Sequence, residues 1–175
     1  MQRLRSAPPF AAMNGAQQRA NSRPRPPAPQ PLTHFIGLRV TSPRVNDAFA
    51  CAHQALLAVH AEYASTLVSP AAAHVTLCVC RLADEAAVAQ ALRALSTVSA
   101  AASRPHIAGV GAFGTRVLFL ELADDGERRA VCELAATVRA ALAAAGVPLQ
   151  PERGAFMPHI TLAKARARHG AWLTP

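Results

Sequence analysis

The chain has 175 residues, 51% of them apolar, which suits a single domain that buries a hydrophobic core. Its formal net charge of +8 favours anionic partners, phosphates above all, but does not by itself indicate nucleic-acid binding. No apolar run is long enough to span a membrane, and the four cysteines do not have zinc-site spacing. We therefore expect reduced structural thiols in a cytoplasmic or nuclear protein, with no metal and no cofactor.

Residues 1–32 form a leader that is rich in Pro, Arg, Ala and Gln and contains no Asp or Glu. Such a composition cannot bury enough apolar surface to offset the cost of ordering, so we predict a disordered leader. Its Arg-rich character weakly resembles a mitochondrial transit peptide, but the prolines argue against the amphipathic helix of such peptides. The predicted folded domain spans residues 33–172.

The rest of the chain reads as alternating strands and helices. The patterns first predict a strand at 33–40, a helix capped by Asn46 or Asp47 and running to about Tyr63, and a strand at 74–82. A helix follows from Asp84 to about Val98, and then two strands at 105–110 and 116–122 around a hairpin signal at 111–114. The last elements are an Ala-rich helix ending before Gly146 and a strand at 156–164. The order β-α-β-α-β-β-α-β is typical of an α+β protein built from two similar lobes.

Two predicted strands carry the same short motif, HVTL at 74–77 and HITL at 159–162. Because side chains alternate along a strand, each motif would point its His and Thr to one face and its two apolar residues to the other. Two such strands side by side would place two imidazoles and two hydroxyls around one cleft. These four residues are called the motif quartet below: His74, Thr76, His159 and Thr161.

The motif quartet contains the groups needed to cleave a phosphodiester without a metal. Imidazole can take a proton from an attacking hydroxyl or give one to a leaving oxygen, because its pKa lies near neutrality. Thr hydroxyls can donate to the non-bridging phosphate oxygens as charge develops on them. A single HVTL is more often a partly buried His beside a Thr that suits β structure. Its repetition on two equivalent strands of a basic chain favours a functional site.

The repeated motif resembles the 2H phosphoesterase superfamily, whose signature is two His-x-Thr/Ser motifs. GVGAFG at 109–114, VLFL at 117–120 and FMPHITL at 156–162 resemble the 2′,5′ RNA-ligase-like domain of A-kinase anchoring protein seven. Leukocyte receptor cluster member nine is similar in general character. The resemblance covers about residues 33–172. It implies a bilobal α+β fold in which two antiparallel sheets flank a central cleft, with helices outside.

The resemblance also implies an activity, the metal-free cleavage of 2′,5′-linked oligoadenylate or of 2′,3′-cyclic phosphate ends of RNA. By position, His74 and His159 would transfer protons, and Thr76 and Thr161 would hold the phosphate. The sequence leaves open which histidine is the base. The expected partner is a nucleotide or short RNA with a 2′,5′ link or a cyclic phosphate, bound by a monomer that has no contact with membranes.

The chain departs from the family pattern after the second motif. Relatives continue with more helix and at least one more strand, whereas this sequence ends 13 residues after Leu162. We therefore expect a truncated second lobe that lacks a strand. The alternative function is then a nucleotide- or RNA-binding module of the same fold with little or no turnover. A third hypothesis is a scaffold whose leader recruits partners.

Four further residues are candidates for ligand contacts. Phe113 and Phe156 could stack on a base, although aromatic side chains more often belong to the core. Arg116, beside the predicted hairpin, could meet a phosphate. Lys164 is a second phosphate candidate, but simple alternation places it on the face opposite His159, where it would reach solvent.

Overall fold

The computed structural model describes residues 31–152 and 154–165. Its strands are β1 (His34–Arg39), β2 (His74–Cys80), β3 (Ile107–Phe113), β4 (Val117–Leu122) and β5 (His159–Lys164). Its helices are α1 (Pro43–Val59), α2 (Glu85–Leu95) and α3 (Gly126–Ala144), with short 3-10 turns at Ala61–Thr66 and Pro70–Ala72. The element order is the predicted one, and the α+β class is confirmed. Residues 1–30 of the predicted disordered leader and residues 166–172 of the predicted domain lie outside the described residues.

The five strands form one antiparallel sheet in the order β1-β2-β5-β4-β3. The predicted pair of sheets is wrong for the described part of the chain, because its strands form a single sheet. The β1–β2 pair and the β5–β4–β3 group are joined where Val75 pairs with Ile160. Both residues are buried apolar members of the two motifs, so the two halves share a core instead of enclosing separate ones. The strands that carry the motifs are therefore direct neighbours.

One hydrophobic cluster holds the helices against one face of the sheet. Burying each large aliphatic side chain stabilises the fold by roughly 1.5–3 kcal/mol. The cluster draws buried residues from the central strands and from all three helices: Val45, Phe49, Val75, Leu77, Cys78, Ala91, Leu120, Leu122, Val131, Ala135, Val138, Leu142, Ile160 and Leu162. The opposite face of the sheet, which we call the open face, is left for the motif quartet.

The start of α1 differs from the predicted one. The helix does not begin after a cap at Asn46 or Asp47; it begins at Pro43, with Ser42 in the N-cap position. Pro suits the first helical position because its fixed φ is helical and its missing N–H would have had no partner there. The α-helix ends at Val59, and the remaining predicted turn is a separate 3-10 segment.

The other helix ends follow the sequence signals. Asp84 caps α2, and its carboxylate accepts a hydrogen bond of 2.8 Å from the Ala87 amide. Asp125 caps α3 in the same way, and the hydrogen bond from the Arg128 amide holds the pKa of this carboxyl below its usual value. Gly146 follows α3 with a φ of 75°, the left-handed conformation that glycine adopts most easily.

β2 contains a β-bulge at the last residue of its motif. Ile36 of β1 pairs with Cys78, but the next residue, Gly37, pairs with Thr76, so Leu77 is the extra residue on β2. Leu77 and Cys78 are consequently both buried, although strict alternation would send them to opposite faces.

β5 contains a β-bulge at the same place relative to its own motif. Leu118 and Phe119 are adjacent on β4, but their partners on β5 are Ala163 and Thr161. Leu162 is the extra residue, and it is buried together with Ala163. The two motif strands therefore share a distortion as well as a sequence.

This second bulge corrects the predicted position of Lys164. Simple alternation placed Lys164 opposite His159, but the extra residue shifts the pattern by one. Lys164 is exposed and pairs with Val117, which lies two residues from Phe119, the partner of Thr161. Residues two apart on a strand share a face, so Lys164 projects from the same face as His159.

All four cysteines are free thiols in this structure. Burial, reinforced by the neighbouring Cys80 thiol, raises the pKa of Cys78, and burial also raises the pKa of Cys80. Both thiols therefore stay protonated at neutral pH and act as small core side chains.

None of the helices in the described ranges is long and apolar enough to cross a membrane.

Candidate active site

The motif quartet lies together on the open face of the sheet. Val75 and Ile160 are cross-strand partners that face the core, so the His and Thr on either side of each project the other way. Extending this antiparallel register by one position sets Thr76 opposite His159 and His74 opposite Thr161. The two imidazoles thus occupy diagonal corners of the quartet, with the two hydroxyls at the other corners. All four residues are partly exposed and accessible to a ligand.

Each motif histidine is tethered by the backbone carbonyl two residues before it. Nδ1 of His74 lies 2.7 Å from the Ala72 oxygen, and Nδ1 of His159 lies 2.9 Å from the Met157 oxygen. A carbonyl oxygen can only accept, so the hydrogen-bond network assigns a proton to both Nδ1 atoms. In the neutral ring Nε2 then carries the lone pair, and in the charged ring it carries a transferable proton. With the ring held in this one orientation, Nε2 can accept a proton as a base or donate one as an acid.

An aromatic ring from β1 covers one face of His74. Phe35 stacks on this imidazole with ring centroids 4.6 Å apart and planes inclined by 22°. The ring can reach His74 because Gly37 lies between them without a side chain. A Cβ at Gly37 would come within 3.4 Å of His74 Cδ2 and within 3.0 Å of the Val75 oxygen. Phe35 and Gly37 therefore act together in positioning the first histidine.

Two aromatic rings support His159. Phe113 meets the imidazole edge-on at 4.8 Å between centroids, and Phe119 lies 5.1 Å away in a tilted arrangement. Phe113 and Phe119 stack on each other at 4.3 Å. Phe119 is nearly fully buried, and Gly111 makes room for it because a Cβ there would lie 2.6 Å from its ring. The second histidine is thus held by a packed aromatic pair.

The other predicted contact residues separate into two groups. Phe113 contacts His159, and Lys164 lies on the open face, as described above. Arg116 is exposed in the turn between β3 and β4, and its carbonyl accepts a hydrogen bond of 2.8 Å from the Ala165 amide. Phe156 packs against the hydrophobic cluster, which is the core role that its sequence left open.

Sequence reasoning gave no role to Phe35 or Phe119, although both rings contact a motif histidine. A usable signal existed for Phe35, because alternation already placed it on one face with Gly37 in the strand before the first motif. Phe119 belongs to an apolar run that reads as core. Its contact with the site depends on the register between β4 and β5, which no local pattern supplies.

A cavity of about 1270 Å³ lies on the helix side of the sheet, away from the quartet. Its lining includes Val75, Ile160, Leu122 and Val131 but no His or Thr of the two motifs. Among the residues that the structure describes, no three His, Cys, Asp or Glu side chains are grouped as ligands for a metal ion.

Comparisons with known proteins agree with this fold. Residues 32–174 match the family model of the AKAP7 2′5′ RNA ligase-like domain. A crystal structure of a phosphoesterase is similar at 20% identity and a TM-score of 0.52, covering 77% of this chain and 74% of that one. A crystal structure of E. coli LigT complexed with 3′-AMP has 20% identity and a TM-score of 0.49, covering 77% and 73%.

No match was found among curated protein sequences. At 20% identity the phosphoesterase structure supports the fold alone, whereas the family model covers most of the chain. The match includes both motif strands and every helix described above. The chain therefore belongs to the AKAP7 2′5′ RNA ligase-like domain family of the 2H phosphoesterase superfamily.

Proposed function

We propose that this protein is a metal-independent phosphodiesterase that cleaves 2′,5′-linked oligoadenylate or opens 2′,3′-cyclic phosphate ends of RNA. Membership of the family supports a phosphodiesterase-type function. The observation that carries the finer proposal is the repeated tether of the two motif histidines. On adjacent strands and one face, both imidazoles donate from Nδ1 to a backbone carbonyl and leave Nε2 for chemistry.

The proposed reaction moves two protons. On a 2′,5′ link, the adjacent 3′-hydroxyl attacks phosphorus while one neutral imidazole takes its proton through Nε2. The bond from phosphorus to the 5′ oxygen of the next nucleotide breaks, and the other imidazole, which starts protonated, gives that oxygen its proton. The products are a 2′,3′-cyclic phosphate and a free 5′-hydroxyl. Thr76 and Thr161 donate to the non-bridging oxygens, where negative charge grows. With a cyclic phosphate substrate, water replaces the attacking hydroxyl.

The test incubates the protein with 2′,5′- and 3′,5′-oligoadenylates and a 2′,3′-cyclic nucleotide in EDTA, followed by product analysis. We expect cleavage of the 2′,5′ link or the cyclic phosphate to persist in the chelator. His74→Ala and His159→Ala should each lower the rate at least about 100-fold, because each removes one proton-transfer group. His106→Ala is the matched control, since this exposed histidine contacts Asp125 at the start of α3. Full activity in either motif variant would refute the two-histidine mechanism.

A nucleotide- or RNA-binding module without turnover is the second candidate. The exposed ring of Phe35 beside His74 favours it, because an aromatic surface can hold a base whether or not protons are exchanged. This candidate predicts AMP binding that weakens in Thr76→Ala and Thr161→Ala, with no product after hours of incubation. Turnover in EDTA by the wild-type protein would exclude it.

A further inference from the structure

We propose that the open face binds a linear oligonucleotide whose scissile link lies between two base-stacking platforms. The first platform is Phe35 beside His74, and the second is Phe113 beside His159. A further phosphate of the same ligand lies at Lys164. The identity of the scissile link rests on the proposed function, whereas the two platforms and the cationic end concern binding alone.

Phe35 has the features of a stacking platform. One face of its ring is covered by the His74 imidazole, yet the residue is 54% exposed, so the other face is open to a ligand. The stack and the adjoining Gly37 fix the ring at this place. Stacking on an aromatic side chain is tolerant of base identity, since every base has a π face.

Phe113 offers a second platform of different construction. Phe113 is 36% exposed, and its ring stacks on Phe119, whose buried side chain has little room to move. Its edge contact with His159 places the platform next to the second histidine. The ring is therefore rigid on one side and accessible on the other, which lowers the entropy cost of binding a base.

The strand order places these platforms on opposite sides of the quartet. Phe35 is on the edge strand β1, Phe113 is on the edge strand β3, and the motif strands β2 and β5 lie between them. A phosphate held at the quartet would thus have an aromatic ring on each side. A linear link carries a base on each side of its phosphorus, whereas a cyclic mononucleotide carries only one. The arrangement therefore favours a linear substrate.

Lys164 extends the site beyond one phosphate. The register aligns Phe113, Val117 and Lys164 across three neighbouring strands at one end of the open face. Lys164 is exposed at the end of this row. A phosphate attached to the nucleotide on the Phe113 side would meet this charge, because an exposed cation attracts phosphate whatever the base sequence.

The first experiment measures binding by calorimetry, so that it does not depend on cleavage. The ligands are AMP and a 2′,5′-linked diadenylate with a phosphorothioate link. We expect the dinucleotide to bind at least about fivefold more tightly, since each stacked base contributes independently. Phe35→Leu and Phe113→Leu should each weaken the dinucleotide at least about fivefold, because they remove a platform while keeping an apolar side chain.

Leu92→Ala is the control, as Leu92 is exposed on α2. Thermal unfolding of each variant shows whether the fold is retained. Equal affinities for AMP and the dinucleotide, or unchanged affinity in both Phe variants, would contradict the assignment of Phe35 and Phe113 as base-stacking platforms. Because binding is measured without turnover, a protein that binds the dinucleotide but cleaves nothing would refute the proposed function and not this inference.

The second experiment tests the cationic end with a trinucleotide of the same chemistry. We expect the trinucleotide to bind more tightly than the dinucleotide, and Lys164→Met to remove most of that advantage and to reduce the salt dependence by about one phosphate contact. Arg129→Met, an exposed cation on α3, should leave both quantities unchanged. A salt dependence that is the same in Lys164→Met and wild type would overturn the assignment.

Discussion

At the residue scale, each motif histidine is oriented by a main-chain oxygen and not by a carboxylate. Backbone carbonyls keep their place whatever side chains Ala72 and Met157 carry, so the Nδ1 tethers depend on local chain geometry. That geometry is the same in both copies, since each bond joins a histidine to the residue two positions earlier. The two imidazoles are therefore tethered in the same way, while the rings that contact them and their cross-strand partners, Arg39 for His74 and Glu121 for His159, differ.

Gly111→Ala tests the packing behind His159. The new Cβ would lie 2.6 Å from the buried ring of Phe119, which is held by Phe113 and His159 and has little freedom to move. We expect a loss of about 1–3 kcal/mol in the free energy of unfolding measured in urea, as for other overpacked sites. The cleavage proposed above should fall as well, because Phe119 contacts the imidazole.

Gly109→Ala is the matched control on the same strand, since nothing lies within 4 Å of a Cβ at that position. It should change the free energy of unfolding by no more than about 0.5 kcal/mol. Equal stability of the two variants would show that Phe119 adjusts freely and that Gly111 is not required for its packing.

At the element scale, the two motif strands share a bulge at the same position. In each, the residue after the motif's Thr is extra, so two consecutive residues are buried before alternation resumes. A bulge re-aims the side chains that follow it. On β5 this brings Lys164 to the open face, whereas the corresponding residue of β2 is Val79, which carries no charge. The two strands thus share the same bulge, but only β5 presents a charged side chain after it.

Asp84→Ala tests the best defined helix cap. The carboxylate of Asp84 accepts from the Ala87 amide at 2.8 Å, and alanine would leave that amide without its partner. We expect a loss of about 1 kcal/mol of stability in chemical denaturation. Asp84→Asn should lose much less, since asparagine also caps helices. A cost for Asn as large as that for Ala would indicate that charge, and not the hydrogen bond, is what matters.

At the scale of the whole molecule, one core supports both halves of the sheet. Val75 and Ile160 join the halves and belong to the same buried cluster as residues from all three helices. Changes to the core behind the motif strands are therefore expected to reach both histidines. The cavity on the helix side borders the same pair of residues.

Removing residues 1–30 tests the proposed boundary of the domain. The buried cluster described here lies between residues 45 and 162, and the family match begins at residue 32. We expect the shortened chain to keep its melting temperature within about 2 °C and to keep the proposed cleavage. A large fall in melting temperature would place part of the folded domain within those residues. Loss of a partner in pull-down experiments, with cleavage intact, would support the scaffold hypothesis for the leader.

Local periodicity and local backbone chemistry are sufficient to predict several features of this protein from its sequence. Alternation within HVTL and HITL separated the His–Thr face from the apolar face, and Asp84 and Gly146 marked helix ends correctly. The element order and the α+β class followed from the same signals. Each of these properties is set by residues within a few positions of one another, so it can be read without knowing the partner.

Features that depend on pairing between distant segments are visible in the three-dimensional structure and not in the sequence. The Val75–Ile160 register made the two motif strands neighbours in one sheet, and the bulge beside β4 moved Lys164 to the open face. The stack of Phe35 on His74 likewise requires the β1–β2 register. A strand's sequence gives its two faces but not its neighbour or its bulges, because these are fixed by which long-range pairing buries the most apolar surface.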